Sequence, residues 1–248
     1  MCDSKYKLNG LSGNALKIIA AFSMLVDHIG YLFFSETELL RIIGRIAFPV
    51  FAFMVSEGCR YTRNKLRYFL VIFTLAAVCQ VVYYFAEGDL YMGILVTFSL
   101  SVLVIYAMQN MKNALFSKED CVKTKTATVF VFIFAVVTVY LLNKYFEIDY
   151  GFWGCMAPVF ASVLRRTKEG NPNFLKKLDC PTANVIMLGA ALVILAVQLG
   201  GRQWFSLIAI LLLLMYSGER GRLKMKYFFY IFYPAHLVIL QFINILLN

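Results

Sequence analysis

Charged residues are scarce in this sequence. Asp, Glu, Lys and Arg make up 15% of its 248 residues, whereas a soluble protein averages about 25%. Hydrophobic residues make up 61%, and the mean hydropathy is +0.72. A soluble fold of this length could not bury so much apolar surface, and a disordered chain would need the opposite composition. The sequence therefore indicates an integral membrane protein.

Motifs for metal or redox chemistry are also missing. None of the six cysteines forms a Cys-x-x-Cys pair, and the sequence contains only two histidines. We therefore expect neither a zinc site nor a disulfide-exchange motif. The first fourteen residues lack the apolar core and cleavage site of a secretory signal, so no cleavable signal peptide is expected.

Long apolar runs are abundant. A helix that crosses a bilayer needs about 20 apolar residues. The runs predict an all-α, polytopic bundle of nine transmembrane helices that forms one domain over residues 1–248. The predicted helices cover residues 14–34, 39–58, 66–86, 90–108, 126–142, 149–164, 183–199, 203–216 and 227–247. The sixth and eighth of them are short for a crossing.

The basic residues predict the orientation of this bundle. With nine crossings and the amino terminus inside, nearly all Lys and Arg residues fall in cytoplasmic segments, as the positive-inside rule requires. The exceptions are Lys17, Arg41, Arg45, Lys144 and Arg202. We therefore expect the carboxyl terminus outside. The same rule accounts for the net charge of +10 without a nucleic-acid partner.

Ionisable residues at membrane depth are costly and are therefore candidates for function. His28 lies about 20 Å along the first helix, just past the midplane. Asp27 and Arg45 lie at similar depths on neighbouring helices and can form an ion pair, and Arg41, one turn shallower on the same face, is the other cation that can hold Asp27. Asp27 immediately precedes His28 in the sequence, and neighbouring residues of a helix face different directions, so Asp27 is a poor hydrogen-bond partner for the His28 ring. Gln80 reaches the depth of His28 on the third helix.

Lys17 and His28 lie on one face of the first helix. Eleven residues make three turns plus about 20°. A cation near the cytosol and an imidazole deeper in the membrane suit an anionic ligand with a long reactive arm. Coenzyme A thioesters have this form. His28 would then be the general base toward an acceptor nucleophile, because imidazole titrates near neutral pH.

Each of these residues also has a structural interpretation. An intramembrane histidine can simply bond to a neighbouring helix, and Lys17 can extend to the interface without further function. His236, which follows an expected break at Pro234, is interpreted as a packing residue. Glu57 and Arg60 are expected to form an ion pair at the inner surface. The basic inner loops either receive the phosphates of coenzyme A or only fix the topology.

Three stretches of the sequence carry a resemblance to a known family. The runs ALKIIAAFSMLVDHIGY, LRIIGRIAFPVFAFMVSEGCRYTRN and FFYIFYPAHL resemble the TraX family. The resemblance covers essentially the whole chain. It implies N-acetylation of a pilin amino terminus from acetyl-CoA, and a location in the bacterial inner membrane.

TraX proteins are also similar in outline to a larger group of membrane acyltransferases. This group includes the O-acyltransferases that modify cell-surface sugars and the lysosomal heparan glucosaminide N-acetyltransferase. In the O-acyltransferases of that group, the first helix carries Arg, ten further residues and then His. Lys17 and His28 occupy the matching positions here. Lysine keeps the charge but lacks the planar guanidinium, so the resemblance implies the role of the histidine more than that of the cation.

The sequence as a whole predicts a membrane acetyltransferase that uses acetyl-CoA as co-substrate, without a metal. The acceptor is an amine or a hydroxyl on a peptide, sugar or lipid. The predicted site residues fall into three groups: His28 and Asp27 are catalytic; Lys17, Arg60, Arg63 and Arg67 bind the donor; Arg41, Arg45, Gln80, Glu57 and His236 bind the acceptor substrate. A transporter or flippase lined by the same charges, or a non-catalytic assembly factor, remains an alternative.

Overall fold

The computed structural model describes residues 10–34, 36–88, 91–117, 120–165, 178–222 and 225–247. Within these ranges the structure is helical, with two isolated β-bridges as its only strand-like contacts. The helices are α1 Gly13–Phe33, α2 Glu38–Gly44, α3 Ala47–Tyr61, α4 Lys65–Glu87, α5 Ile94–Phe116, α6 Val122–Tyr145, α7 Gly151–Val163, α8 Pro181–Leu199, a 3-10 helix Gly201–Ile208, α9 Ala209–Leu214 and α10 Lys226–Leu247.

Seven helical spans in this part of the chain are long and apolar enough to cross a membrane. They are α1, α2 together with α3, α4, α5, α6, α8 and α10. The two remaining predicted crossings are shorter, at Gly151–Val163 and Gly201–Leu214. The expectation of an all-α bundle with several helices long and apolar enough to span a membrane is confirmed, and so is the shortness of the sixth and eighth predicted helices.

Contacts between loops define the two ends of the bundle. At one end, Leu11 forms a bridge with Tyr216, and the Gly13 N–H donates to the Glu219 carbonyl at 2.7 Å. We call this the basic end, because most of the described Lys and Arg residues outside the helices lie here. At the far end, Met92 forms a bridge with Ile148.

Both short segments run from one end of the bundle to the other. Helix α7 starts just after Ile148 at the far end and stops at Val163, and Arg165 beyond it contacts Glu57 at the basic end. The segment 201–214 starts beside α2 and ends just before Tyr216. This arrangement supports nine passes through the bundle. The membrane orientation, with the amino terminus inside, stays a prediction, and the basic loop residues between 166 and 177 lie outside the described ranges.

The second predicted helix is interrupted. Arg45 and Ile46 separate α2 from α3. Two residues explain the interruption. Pro49 has no N–H to donate to the Arg45 carbonyl and its ring crowds the preceding turn. Gly44 packs so closely on Asp27 that a methyl group at position 44 would overlap the carboxylate.

The helices divide into an interior group and a peripheral group. Phe53 of α3, Ile105 of α5 and Leu192 of α8 are fully buried. Helices α4 and α6 instead expose large apolar side chains, including Phe134, which is 72% exposed. Exposed apolar area of this extent fits contact with lipid tails. The expected break at Pro234 is wrong, because α10 continues through this proline. Transmembrane helices tolerate such an interruption when neighbouring groups satisfy the freed carbonyl.

Candidate functional site

The two histidines of the sequence lie against each other. His28 of α1 and His236 of α10 have ring centroids 5.0 Å apart and an interplanar angle of 73°. The Nδ1 atom of His28 lies 2.8 Å from the Met24 carbonyl oxygen, and that of His236 lies 2.9 Å from the Phe232 carbonyl oxygen. A carbonyl oxygen can only accept, so each neutral ring carries its proton on Nδ1. Each Nε2 therefore keeps a lone pair that can accept a proton.

The two rings of this histidine pair differ in access. His236 is only 5% exposed, and its Nε2 atom has no hydrogen-bond partner among the described residues. His28 is partly exposed. A ligand can therefore reach His28 more easily than His236. The structure thus brings together two residues that the sequence had assigned to different roles, base and substrate contact.

The expected common face of Lys17 and His28 is confirmed, because both residues contact α10. The Lys17 ammonium lies 5.9 Å from the centroid of the Phe229 ring, at a distance suited to a cation–π contact. His28 contacts His236 two turns further along α10. A ligand that follows this face must therefore pass between α1 and α10.

Asp27 is paired with Arg41 and not with Arg45. The Arg41 Nη1 atom donates to Asp27 Oδ2 at 2.7 Å and also lies 3.3 Å from the Asp27 carbonyl oxygen. The other pair that the sequence allowed, Asp27 with Arg45, is not formed because the chain turns after Gly44, so Arg45 no longer continues the face of α2 that carries Arg41. As expected, Asp27 makes no hydrogen bond to His28, whose Nδ1 uses the Met24 carbonyl instead.

Arg45 lines a cavity of about 510 Å³ at the far end. The Tyr91 hydroxyl donates to Asp149 Oδ1 at 2.8 Å within its wall. Two buried polar atoms of the wall, Arg45 Nε and Asn143 Oδ1, have no hydrogen-bond partner among the described residues. Burial raises the pKa of the Asp149 carboxyl to about 6, against the opposing effects of the Tyr91 hydrogen bond and the Arg45 charge.

A strained turn holds this cavity in place. Tyr150 has a φ of 60°, and it is the only residue other than glycine with a positive φ in the described ranges. This conformation costs about 1–2 kcal/mol for an L-residue. The Tyr150 ring compensates by stacking on Phe48, with centroids 4.1 Å apart, and the Thr97 hydroxyl donates to the Asp149 carbonyl at 2.8 Å. Strain of this kind is concentrated at functional sites.

Tyr233 of α10 is near both the histidine pair and this cavity. Its ring centroid is 5.7 Å from that of His236. It also interacts electrostatically with Asp149 and Tyr91 of the cavity wall. The sequence predicts none of Tyr91, Asn143, Asp149 and Tyr233 as site residues. It predicts Asp149 as the first residue of a helix, and it indicates no role for the other three.

Glu57 belongs to a buried ion pair at the basic end. Arg165 pairs with it, and their side chains are 5% and 9% exposed, respectively. The Tyr216 hydroxyl also donates to Glu57 at 3.2 Å. The expected Glu57–Arg60 pair is therefore wrong, and Arg60 pairs with Asp179 at 3.2 Å. Glu57 consequently connects α3 to α7 and is not available to a substrate in this structure.

The predicted donor residues have different surroundings. Arg67 lines a second cavity of about 560 Å³ between α4 and α10, together with Asn64, Leu70 and Tyr230. Arg63 is exposed in the short connection before α4.

Gln80, predicted to bind the acceptor at the depth of His28, has a buried Nε2 atom without a hydrogen-bond partner among the described residues.

A metal site finds no support in the part of the chain that the structure describes. No three His, Cys, Asp or Glu side chains are grouped there as metal ligands would be.

Comparison with known proteins adds a family to this geometry. The sequence profile described as TraX protein matches residues 12–244. A protein of Dichelobacter nodosus named a probable fimbrial assembly protein is 25% identical, and the match covers 91% of this chain and 92% of that protein. An uncharacterized protein of Rickettsia prowazekii is 32% identical over 106 residues, or 43% of this chain and 41% of that protein. No solved structure matches. Since the profile spans nearly all described helices, the chain belongs to the TraX family.

Proposed function

We propose that this protein is an acyltransferase of the bacterial inner membrane that moves an acetyl group from acetyl-CoA to an amine or hydroxyl acceptor. One observation carries the proposal: the first and last helices bring the two histidines of the sequence into contact at membrane depth. Polar residues at this depth are expensive and are usually functional. His28 is the general base because it is the more accessible ring of the pair.

The proposed reaction needs one proton acceptor. The acceptor amine or hydroxyl attacks the thioester carbonyl carbon while His28 Nε2 removes its proton. The carbon–sulfur bond then breaks, and the imidazolium returns that proton to the leaving thiolate, which departs as free coenzyme A. Lys17 lies on the same face, nearer the basic end, where its charge suits the phosphates of the donor. Arg67 supplies a second cation at the mouth of the α4–α10 cavity.

The test is turnover of acetyl-CoA by the purified full-length protein. Slow hydrolysis provides a readout that does not require the natural acceptor, because water can take its place. We expect His28→Ala to lower the rate by about 10²–10⁴, the usual contribution of a general base, while coenzyme A binding stays within a fewfold. Phe22→Ala is the matched control, since Phe22 lies on α1 and is 64% exposed. A His28→Ala protein that turns over at the parent rate would remove this histidine from the mechanism.

A non-catalytic role in assembly is the second candidate. It is favoured by the name of the Dichelobacter nodosus relative, a probable fimbrial assembly protein. In that case the purified protein would bind no acetyl-CoA and release no coenzyme A, whatever residue stands at position 28. The same turnover measurement therefore separates the two candidates.

A further inference from the structure

The far-end cavity has the dimensions of a ligand site. Its volume of about 510 Å³ falls within the roughly 300–1,000 Å³ that is usual for small-molecule pockets. Four parts of the chain form its wall. They are the α2–α3 junction at Arg45, the loop before α5 at Tyr91, the end of α6 at Asn143 and the turn at Asp149. Residues so distant in sequence meet here because the far-end loops converge.

The wall offers both a donor and an acceptor that the protein does not use. Arg45 Nε is a buried donor, and Asn143 Oδ1 is a buried acceptor, and neither has a hydrogen-bond partner among the described residues. A buried polar group without a partner is destabilising by about 1–3 kcal/mol. A ligand that accepts from Arg45 and donates to Asn143 would satisfy both atoms.

The charges around the cavity balance. Arg45 and Lys144 contribute two positive charges to the lining, and Glu147 and Asp149 contribute two negative charges. Such a wall gives no net attraction to a phosphate, a carboxylate or an ammonium group. It therefore favours a neutral ligand that makes several hydrogen bonds. Hydroxyl groups have this property, since each can donate and accept at once.

Aromatic rings form much of the remaining surface. Tyr91, Tyr145, Phe146 and Tyr150 line the cavity, and Tyr145 and Phe146 are 74% and 42% exposed, respectively. Aromatic faces at the rim can cover the carbon–hydrogen face of a ring-shaped ligand while the planar polar groups bind its hydroxyls.

We propose that this cavity binds a neutral sugar residue through Arg45, Asn143, Tyr91 and Asp149. The sugar would be the acyl acceptor, and that second statement rests on the proposed function. Tyr233, which contacts His236 and interacts electrostatically with Asp149 and Tyr91 of the cavity wall, connects the proposed sugar site with the histidine pair.

Binding is tested without acetyl-CoA, by saturation-transfer NMR on the full-length protein in detergent. The probes are glucose, galactose and N-acetylglucosamine, with glucuronate and a tetrapeptide with a free amino terminus for comparison. We expect the neutral sugars to bind and the other two not to compete. Asn143→Leu should weaken sugar binding at least about fivefold by removing one hydrogen bond. It should change thermal stability little, because Asn143 Oδ1 has no hydrogen-bond partner among the described residues, and Nδ2 donates only to the Val139 carbonyl of its own helix and, at 4.0 Å, to Cys155 Sγ.

Phe134→Ala is the matched control, because Phe134 lies on α6 like Asn143, is 72% exposed and does not line the cavity, so the variant should leave sugar binding unchanged. Tighter binding of glucuronate than of glucose would refute the neutral character of the site. The proposal would be overturned if the peptide alone competed. It would also be overturned if no sugar bound at about 100 mM, a concentration at which hydroxyl contacts of this strength should be measurable. A protein that binds sugar but never consumes acetyl-CoA would refute only the proposed function.

Discussion

The buried pair of Glu57 and Arg165 offers the sharpest test of the structure. Both side chains are nearly excluded from water, and Arg165 also lies 5.5 Å from the Phe53 ring centroid. Arg165→Met would leave the Glu57 carboxylate buried, with the Tyr216 hydroxyl as its hydrogen-bond donor and only the longer-range charge of Lys17 to balance it among the described residues. Removing one partner of a buried ion pair typically lowers the free energy of unfolding by about 3–5 kcal/mol. We expect a loss of that size.

The matched control is Arg60→Met, which breaks the Arg60–Asp179 pair at the same end of the bundle. Arg60 is 30% exposed, so its pair should contribute only about 0–1 kcal/mol. The double variant Glu57→Gln/Arg165→Met removes both charges and should recover most of the lost stability, because a buried pair is often no better than an uncharged one.

Equilibrium unfolding of the purified protein in mixed detergent micelles measures these differences. Equal losses for Arg165→Met and Arg60→Met would refute the reasoning, and so would a double variant as unstable as the single one. If Glu57 instead contacted a substrate, as the sequence suggested, its replacement would lower ligand affinity and leave the unfolding free energy unchanged.

Three further predictions concern other parts of the chain. Burial raises the pKa of the Asp149 carboxyl from 3.8 to about 6. The folded state therefore binds the proton more tightly than the unfolded state does, and the protein loses stability as the pH rises from 3.8 to about 6. Asp149→Asn removes this effect and should raise the unfolding free energy by up to about 3 kcal/mol at pH 7.5 and by little at pH 4. Gly44→Ala should destabilise by about 1–3 kcal/mol, seen in the same unfolding assay, because the added methyl group overlaps Asp27; an unchanged midpoint would contradict the close approach. Cys121 is exposed at the basic end, and its hydrogen bond with Thr124 lowers the pKa of the thiol. If the basic end faces the cytoplasm, an impermeant maleimide should label Cys121 in inverted vesicles but not in intact cells. The control Glu36→Cys, in a Cys121→Ser background, should show the reverse.

Much of the helical architecture follows from the sequence because length and apolarity are local properties. A run such as Lys65–Phe85, with a mean hydropathy of 2.0, has few alternatives to a spanning helix. The shared face of Lys17 and His28 was also predictable, since helical periodicity fixes it. The interruption at Arg45 could have been read from Gly44 and Pro49, two residues that disfavour helix interiors.

The pairing of charges could not be predicted in the same way. Depth along a helix places Asp27 level with Arg45, but it does not say which way each side chain points after a turn in the chain. In the structure, Asp27 pairs with Arg41 and Glu57 pairs with Arg165. The partner of Glu57 is more than a hundred residues away, just beyond the end of α7, and the position of that helix depends on the packing of the whole bundle. The contact of His28 with His236 depends on the same packing.

The surroundings of the histidine pair also bear on how the proposed reaction would handle its proton. An imidazolium at His28 needs a nearby carboxylate if it is to persist, but Asp27, the adjacent one, is engaged by Arg41 at 2.7 Å. The neighbouring ring, His236, is a neutral imidazole and supplies no negative charge that would hold the imidazolium. No free carboxylate beside His28 would thus trap the proton, and in the proposed reaction the proton can pass to the departing thiolate. In the proposed reaction, the Asp27–Arg41 pair would keep a strong counter-ion away from His28. Arg41→Ala would release the carboxylate and should therefore slow acyl transfer more than it lowers coenzyme A affinity.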